Sequence, residues 1–400
     1  MEFPDLVQAK ENITDLFFAE QEMAAEDVGV IASPYRICPL GAHIDHQGGP
    51  VLGMTINAYT LLAFAPTADG TVRLKSKNYP GKVAFELDRI PETTGGSWGV
   101  YARAAVLALK ETYPINKGVA GVLDGMLPGC GLSSSASVLL AYIHAFAAAN
   151  QIRLQPWDCV HLTQRAENKY IGLENGILDQ TSIVFGHKGC LLHIDTKEKK
   201  ITELPKPPGK NLYRILVAYS GYSRELTTSG YNTRVQECRE AAVRLSHLAG
   251  SGSARILSDV PEKIFNLYGH KLAPDIGRRA NHFFSEVQRV RKGVIAWRQG
   301  SIDEFGQLML ASCRSSMEQY ECGIQPIFDL QKIVSSTDGM LGSRFMGGGF
   351  GGCVVGFVKP DRAEAAAADI QQAYRKLHPE VADAAKIYLA DSADGAGFLT

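Results

Sequence analysis

The sequence contains no pair of cysteines spaced C-x-x-C, although it has eight cysteines in all. That scatter argues against a zinc knuckle and a disulfide framework, and it fits a reducing compartment. Charge of one sign is missing as well: Lys and Arg number 41, Asp and Glu 42, in 400 residues. A chain so balanced offers no basic face to nucleic acid and no acidic solvating arm. Long apolar runs are also absent. The longest, Val138 to Ala149, is broken by His144, whereas a membrane span needs about 18 apolar residues. The opening stretch MEFPDLVQAKENITDLFF carries acids throughout and lacks a basic region ahead of an apolar core, so it does not read as a secretory leader. No G-x-x-x-x-G-K-[ST] loop and no G-x-S-x-G elbow occurs, which excludes the Walker A and nucleophile-elbow motifs. These absences leave a soluble, cytoplasmic globular protein with no membrane or nucleic-acid partner and no obligatory protein partner evident.

What is present can build a large core: 45% of the residues are apolar, and the length predicts two domains. Helical spacing over residues 5–25 gives way to short alternating runs, VGVIASPYRI, TINAYTLLAFAP, TVRLKS, KVAFELDRI and GVAGVLDGML, which read as strands. Helices are predicted near Gly99–Glu111, Ser134–Ala149, Asp158–Tyr170 and Leu178–Gly186, then a hairpin with arms CLLHIDT and KITELP. The segment PKPPGK, Pro205 to Lys210, is the natural linker. It divides the chain into residues 1–209 and 210–400. Beyond it come a strand, YRILVAYS, and helices near Tyr231–Leu248, Ala280–Gln299, Asp303–Gln319 and Ala363–Lys376, with a last strand at AKIYLAD. Strands and helices mix without a regular βαβ repeat, which predicts an α+β fold.

Two glycine-rich runs could approach phosphate. LPGCGLSSSAS, Leu127 to Ser137, follows a strand and opens an apolar helix. Glycines let backbone pass close to a polyanion, and a helix N-terminus offers unpaired N–H groups. The same residues would also make an ordinary helix cap with spare serines. The second run, MGGGFGGC from Met346 to Cys353, contains G-x-G-x-x-G but leads into the strand-like CVVGFV rather than a helix. It reads either as a loop packed against another site or as a tight turn without a ligand.

A third cluster, PYRICPLGAHIDHQGG from Pro34, crowds Arg36, His43, Asp45 and His46 ahead of a double glycine. Imidazole and carboxylate are metal ligands, but no fourth group is at hand for a closed site. In order, this cluster, LPGCGLSSSAS and RFMGGGFGGC resemble the three signature motifs of the GHMP sugar and metabolite kinases, in their galactokinase branch. Between them RAENKYIGLENGILDQTS is similar to the galactokinase segment that carries the catalytic aspartate. The resemblance spans roughly residues 28 to 358.

The resemblance implies a two-domain α+β fold, an N-terminal ribosomal S5 domain 2-like half and a C-terminal ferredoxin-like half, with the active site between them. It implies an ATP- and Mg²⁺-dependent kinase. Asp179 would be the catalytic base and Arg36 the cation that offsets developing charge. Pro128, Gly129, Cys130, Gly131, Leu132, Ser133, Ser134, Ser135 and Ala136 would form the phosphate loop, with Gly348 from the third motif and Trp98 and Tyr101 beside the adenine. Ser135 and Glu167 would hold the metal. His43, Asp45, Gly176 and Tyr231 would position the sugar, Gly176 by letting backbone come close to it. His46 stands where galactokinases usually have tyrosine and receives no role.

The chain departs from the galactokinase pattern at Ala42, where that branch has a glutamate that accepts a hydrogen bond from the sugar's C6 hydroxyl. A substrate with a carboxylate at C6 has no such proton and would meet a second negative charge. Two unit charges at 4 Å repel by roughly 4 kcal/mol at an effective dielectric of about 20. Alanine removes that penalty, and with GILDQ and YNTRVQEC the pattern resembles the galacturonokinases, the uronic-acid members of the branch. The expected reaction is phosphorylation of D-galacturonate at C1. A kinase for galactose or glucuronate is the alternative, and a non-catalytic sugar sensor is the alternative of another class. Arg224 is the candidate to pair the uronate carboxylate, against an ordinary solvated arginine.

Overall fold

The computed structural model describes residues 1–20, 28–92, 98–207, 209, 212–222 and 230–399. In chain order the first half runs α1 (Leu6–Glu20), β1 (Gly29–Ile37), β2 (Val51–Thr67), β3 (Thr71–Ser76), β4 (Lys82–Glu86), α2 (Val100–Lys110), β5 (Gly118–Gly125), α3 (Ser134–Ala149), α4 (Pro156–Arg165), α5 (Leu178–Phe185), β6 (Cys190–Asp195) and β7 (Lys200–Pro205). The second half runs β8 (Arg214–Tyr219), α6 (Tyr231–Leu248), α7 (Glu262–Tyr268), α8 (Pro274–Gln299), α9 (Ile302–Glu318), α10 (Gln325–Ser336), β9 (Met340–Phe345), β10 (Cys353–Val358), α11 (Ala363–Leu377), β11 (Lys386–Ala390) and β12 (Gly397–Phe398).

Two sheets result. The larger has the order β12-β1-β2-β5-β3-β4, with β6 added to β2 and β7 to β6. The smaller is β11-β8-β10-β9, antiparallel throughout. Both chain ends cross over: β12 pairs with β1, and Glu2 bridges to Leu389 of the smaller sheet. One buried cluster joins Tyr35, Leu52 and Met54 of the first half to Trp297, Phe305 and Phe357 of the second, so the halves share apolar core.

Local rules account for the parts that position the site. Proline cannot donate to a strand ladder and is tolerated at bulges. Pro34 sits at a bulge, where the register of β1 on β2 jumps between Pro34 and Tyr35. A bulge bends a strand and re-aims the next side chains, here Tyr35 and Arg36. The Arg36 backbone N–H leaves the sheet pattern for the Leu132 carbonyl, 3.1 Å away, tying the strand end to the first glycine run. Helix α3 is apolar nearly all round, as suits a helix covered on most sides, and packs against α2, β1, β2, α4 and α5.

The structure changes several expected boundaries. Helix α8 begins at Pro274, not Ala280, because Pro at the first helical position starts a turn whose DIGRR residues lack apolar spacing. The helix expected over Asp158–Tyr170 is α4 followed by a π-helical turn, Ala166–Ile171. Helices α7 and α10 were not anticipated; α7 has no buried residue to give a pattern. Residues 208 and 210 of the expected linker lie outside the described residues.

Candidate active site

One cavity between the two halves gathers most of the motif residues. Arg36, Ala42, His43, Asp45, Asp179 and Tyr231 line it. So do Pro128, Gly129, Gly131, Ser133, Ser134 and Ser135 of the first glycine run, and Gly348 of the second. Trp98 and Tyr101 contribute a further wall beside Val138 and Tyr142 of α3. Residues not anticipated from sequence also face it, among them Tyr35, Thr60, Asn78 and Asn175.

The centre of the cavity is an ion pair. Arg36 Nε donates to Asp179 Oδ1 at 2.8 Å, and Arg36 Nη1 donates to the Gly131 carbonyl at 3.3 Å. Asp179 lies in the first turn of α5, and the Leu178 N–H beside it donates to Asp45 Oδ2 at 3.1 Å. Glu167 is buried and reaches the cavity through Ser135, whose Oγ donates to Glu167 Oε1 at 3.1 Å. Three carboxylates thus surround one guanidinium. Burial first, and the Asp179 charge second, push Asp45 up to about 6 and Glu167 up to about 7. An excess of buried negative charge is a setting for a cation. Among the described residues no group of three or more His, Cys, Asp or Glu converges on one position. A cation here would rest on Ser135 and Glu167 and draw its remaining ligands from phosphate or water, which is the habit of Mg²⁺.

The two glycine runs pack backbone to backbone. Gly129 and Gly131 take φ of 73° and 78°, and Gly352 takes 93°. A Cβ on Gly352 would sit 2.3 Å from the Cys130 carbonyl oxygen, and one on Gly131 3.0 Å from that of Met346. The second run is therefore a buttress for the first. Ser133, at φ 61°, opens α3 without a side-chain cap bond, and its buried Oγ has no partner in the structure. An uncapped helix N-terminus reached by glycine turns and ringed by serines suits phosphate oxygens. Cys130, Leu132 and Ala136 belong to this loop but turn into the core, each fully buried and off the cavity wall.

Residue 42 itself brings no acid to the wall. His282 Nε2 donates to the Ala42 carbonyl at 2.9 Å, and its Nδ1 contacts Ser315 Oγ at 2.9 Å. The Gly41 N–H donates to Glu286 Oε1 at 2.7 Å. His43 takes a left-handed φ of 63° and stacks on Tyr320 with ring centres 4.6 Å apart. His46 acquires a role that sequence did not give it. Leu257 N–H fixes the Gln47 amide, Gln47 Nε2 donates to His46 Nδ1 at 2.9 Å, and His46 Nε2 then donates to the Tyr320 hydroxyl at 2.9 Å. Burial pulls His46 down to about 3, with the Arg239 charge adding, and His282 down to about 4, so both are neutral at pH 7.

Gly176 stands against Asp45. It does not line the cavity; a Cβ there would lie 2.4 Å from Asp45 Oδ2 and 2.6 Å from the His46 nitrogen. The close approach it permits in the structure is by Asp45. Arg224 lies outside the described residues.

With this geometry in place, the comparisons decide the family. The galactokinase galactose-binding signature matches residues 17–66, the GHMP kinases N terminal domain residues 100–187, and the GHMP kinases C terminal domain residues 292–376. The galacturonokinase of Arabidopsis thaliana is 42% identical over 391 residues, covering 91% of this chain and 92% of its own. The chain belongs to the GHMP kinases. A galactokinase of Roseiflexus sp. (strain RS-1) is 33% identical, covering 92% of each chain. The crystal structure of Lactococcus lactis galactokinase complexed with galactose superposes with a TM-score of 0.88 at 28% identity, over 99% of this chain and 100% of that one. Methanococcus jannaschii mevalonate kinase, at 16% identity and a TM-score of 0.64, shares the fold. This GHMP kinase is thus a two-domain α+β enzyme of the galactokinase and galacturonokinase branch, a phosphotransferase. No helix among the described residues is long and apolar enough to cross a membrane.

Proposed function

We propose that this kinase transfers the γ-phosphoryl group of ATP to the anomeric C1 hydroxyl of D-galacturonate, giving galacturonate 1-phosphate and ADP. The reading gives residues 1–209 and 210–400 as the two domains, with a cytoplasmic setting. Its main support is residue 42 itself: Ala42 faces the cavity with no carboxylate, neutral His282 bonds its carbonyl, and the Glu286 carboxylate behind Gly41 is paired with Arg289. A C6 carboxylate meets no like charge from residue 42.

Asp179 takes the proton of the C1 hydroxyl as that oxygen bonds the γ-phosphorus and the bond to the β-bridging oxygen breaks. Arg36, 2.8 Å from Asp179, faces the charge that develops on the transferred group. Pro128 to Ser135 cradle the triphosphate, Ser135 and Glu167 hold Mg²⁺, and Trp98 borders the adenine. Bound Mg²⁺ supplies charge neutralisation on the phosphate oxygens. His43, Asp45 and Tyr231 place the ring so that the reaction rests on position and electrostatics.

The test is a substrate panel of galacturonate, glucuronate and galactose with ATP, with the product's phosphate position read by NMR. Galacturonate with phosphate at C1 is the expected outcome. Clear preference for galactose rejects the uronate assignment, and nucleotide binding with no turnover of any sugar makes the protein a sensor.

A further inference from the structure

Glu167 does not hold its orientation alone. Its Oε1 accepts from Ser135, and its Oε2 accepts from Asn175 Nδ2 at 2.7 Å. Asn175 lines the cavity beside Glu167. The Asn175 amide is itself oriented: Asn168 Nδ2 donates to Asn175 Oδ1 at 2.8 Å, which leaves Nδ2 for Glu167. Asn168 and Glu167 both stand on the π-helical turn Ala166–Ile171, and such turns often mark functional sites.

The loop that carries Asn175 is gripped from the other half of the molecule. Asn232 accepts from the Glu174 N–H at 3.1 Å and donates to the Gly172 carbonyl at 3.0 Å. The Glu174 carboxylate receives Gln236 at 2.9 Å and Arg239 at 2.6 Å. All three partners stand on α6, whose first residue is Tyr231. One helix therefore presents Tyr231 to the cavity and clamps the loop behind the metal carboxylate.

We propose that Asn175 is a positioning residue for Glu167, and that Asn232 clamps its loop so that the C-terminal half sets the metal carboxylate of the N-terminal half. This rests on the reading of Glu167 as the Mg²⁺ carboxylate. A carboxylate offers about four lone-pair sites. The Asn175 bond fixes which of them face the cavity, and partners of this kind are typically worth about 10- to 100-fold in metal affinity.

The experiment is calorimetric titration of ADP, across a Mg²⁺ series and in EDTA, for the parent, Asn175→Ala, Asn232→Ala and Glu167→Gln. For Asn175→Ala the Mg²⁺ concentration giving half of the metal-dependent gain in ADP affinity should rise about tenfold or more. ADP affinity in EDTA and galacturonate affinity should stay within about twofold of the parent. Asn232→Ala should shift the Mg²⁺ midpoint in the same direction by less, and decides the matter if Asn175→Ala fails to fold. An unchanged midpoint in a folded Asn175→Ala protein overturns the proposal, as does an equal loss of ADP affinity with and without Mg²⁺. If Glu167→Gln leaves the midpoint unmoved, the metal reading itself has failed; if Glu167→Gln moves it and Asn175→Ala does not, only the positioning role has failed.

Discussion

The two ends of the substrate cavity are made of opposite materials. At the phosphoryl end Asp45, Asp179 and Glu167 crowd one arginine, and two of the three acids are pushed well above the ordinary carboxylate range. At the residue 42 end Ala42 and His43 face the cavity, Tyr320 stacks on His43, buried neutral His46 and His282 lie behind, and the Glu286 carboxylate behind Gly41 is paired with Arg289. Charge that must move during phosphoryl transfer calls for fixed charge nearby, even at a cost in desolvation. A substrate that brings its own fixed charge calls for the protein's charge of the same sign to be withdrawn. The contrast is held within one connection: Ala42, His43 and His46 of the neutral end and Asp45 of the charged end all lie between β1 and β2.

The sharpest way to break the contrast is at the charged end. Asp179→Asn should lower turnover by about 10³-fold, within the usual range for losing a general base, while calorimetry shows sugar and nucleotide binding changed only a few-fold. A variant that turns over like the parent removes Asp179 as the base. At the neutral end, Ala42→Glu should cut kcat/KM for galacturonate by roughly 10²- to 10³-fold, from about 4 kcal/mol of repulsion. The KM for ATP should hold, and steady-state kinetics with both substrates varied reads the two effects separately. No change for galacturonate would sink the charge argument.

Smaller effects sharpen the picture. Gly352→Ala forces a side chain into a left-handed backbone 2.3 Å from the Cys130 carbonyl. The conformation alone costs about 1–2 kcal/mol, so thermal melts should fall by several degrees and the KM for ATP should rise about tenfold. The mildest effect concerns pH. Asp45 is raised from 3.8 to about 6, so below about pH 6 it becomes protonated and loses the charge that its proposed role toward the sugar uses. The KM for the sugar acid should rise a few-fold as pH falls through that value, and Asp45→Asn should lose the inflection. The same shift means that the ligand-free native state holds a proton the unfolded chain releases between pH 3.8 and about 6. The contribution of this group to stability therefore falls as pH rises through that window, and denaturant melts of the parent against Asp45→Asn measure it.

Much of the fold was legible because local pattern and final structure agree. Helices α3 and α6 begin and end where the expected segments do, since a serine run and a tyrosine after glycine mark their starts and apolar spacing carries them on. The cavity residues of the three motifs were legible for the same reason, each lying in a short run with its own chemistry. The contacts that local pattern does not show join residues far apart in the chain. His282 meets Ala42 across 240 residues, Tyr320 meets His46 across 274, and Asn232 meets Glu174 across 58. Nothing in the spacing around any of them announces the other. Asn175 lies within RAENKYIGLENGILDQTS, but its contact with Glu167 depends on a π-turn that no periodicity reveals.

The sequence by itself determined which chemical groups are available and in what order: a glycine-serine run ahead of an apolar helix, an aspartate at a helix start, and no acid at position 42. These are properties of one residue and its neighbours. Only the tertiary structure decided that Gly176 makes room for Asp45, that one glycine run braces the other, and that α6 grips the loop behind Glu167. Such choices depend on surfaces brought together from distant parts of the chain, where close packing allows one arrangement and local preference is silent.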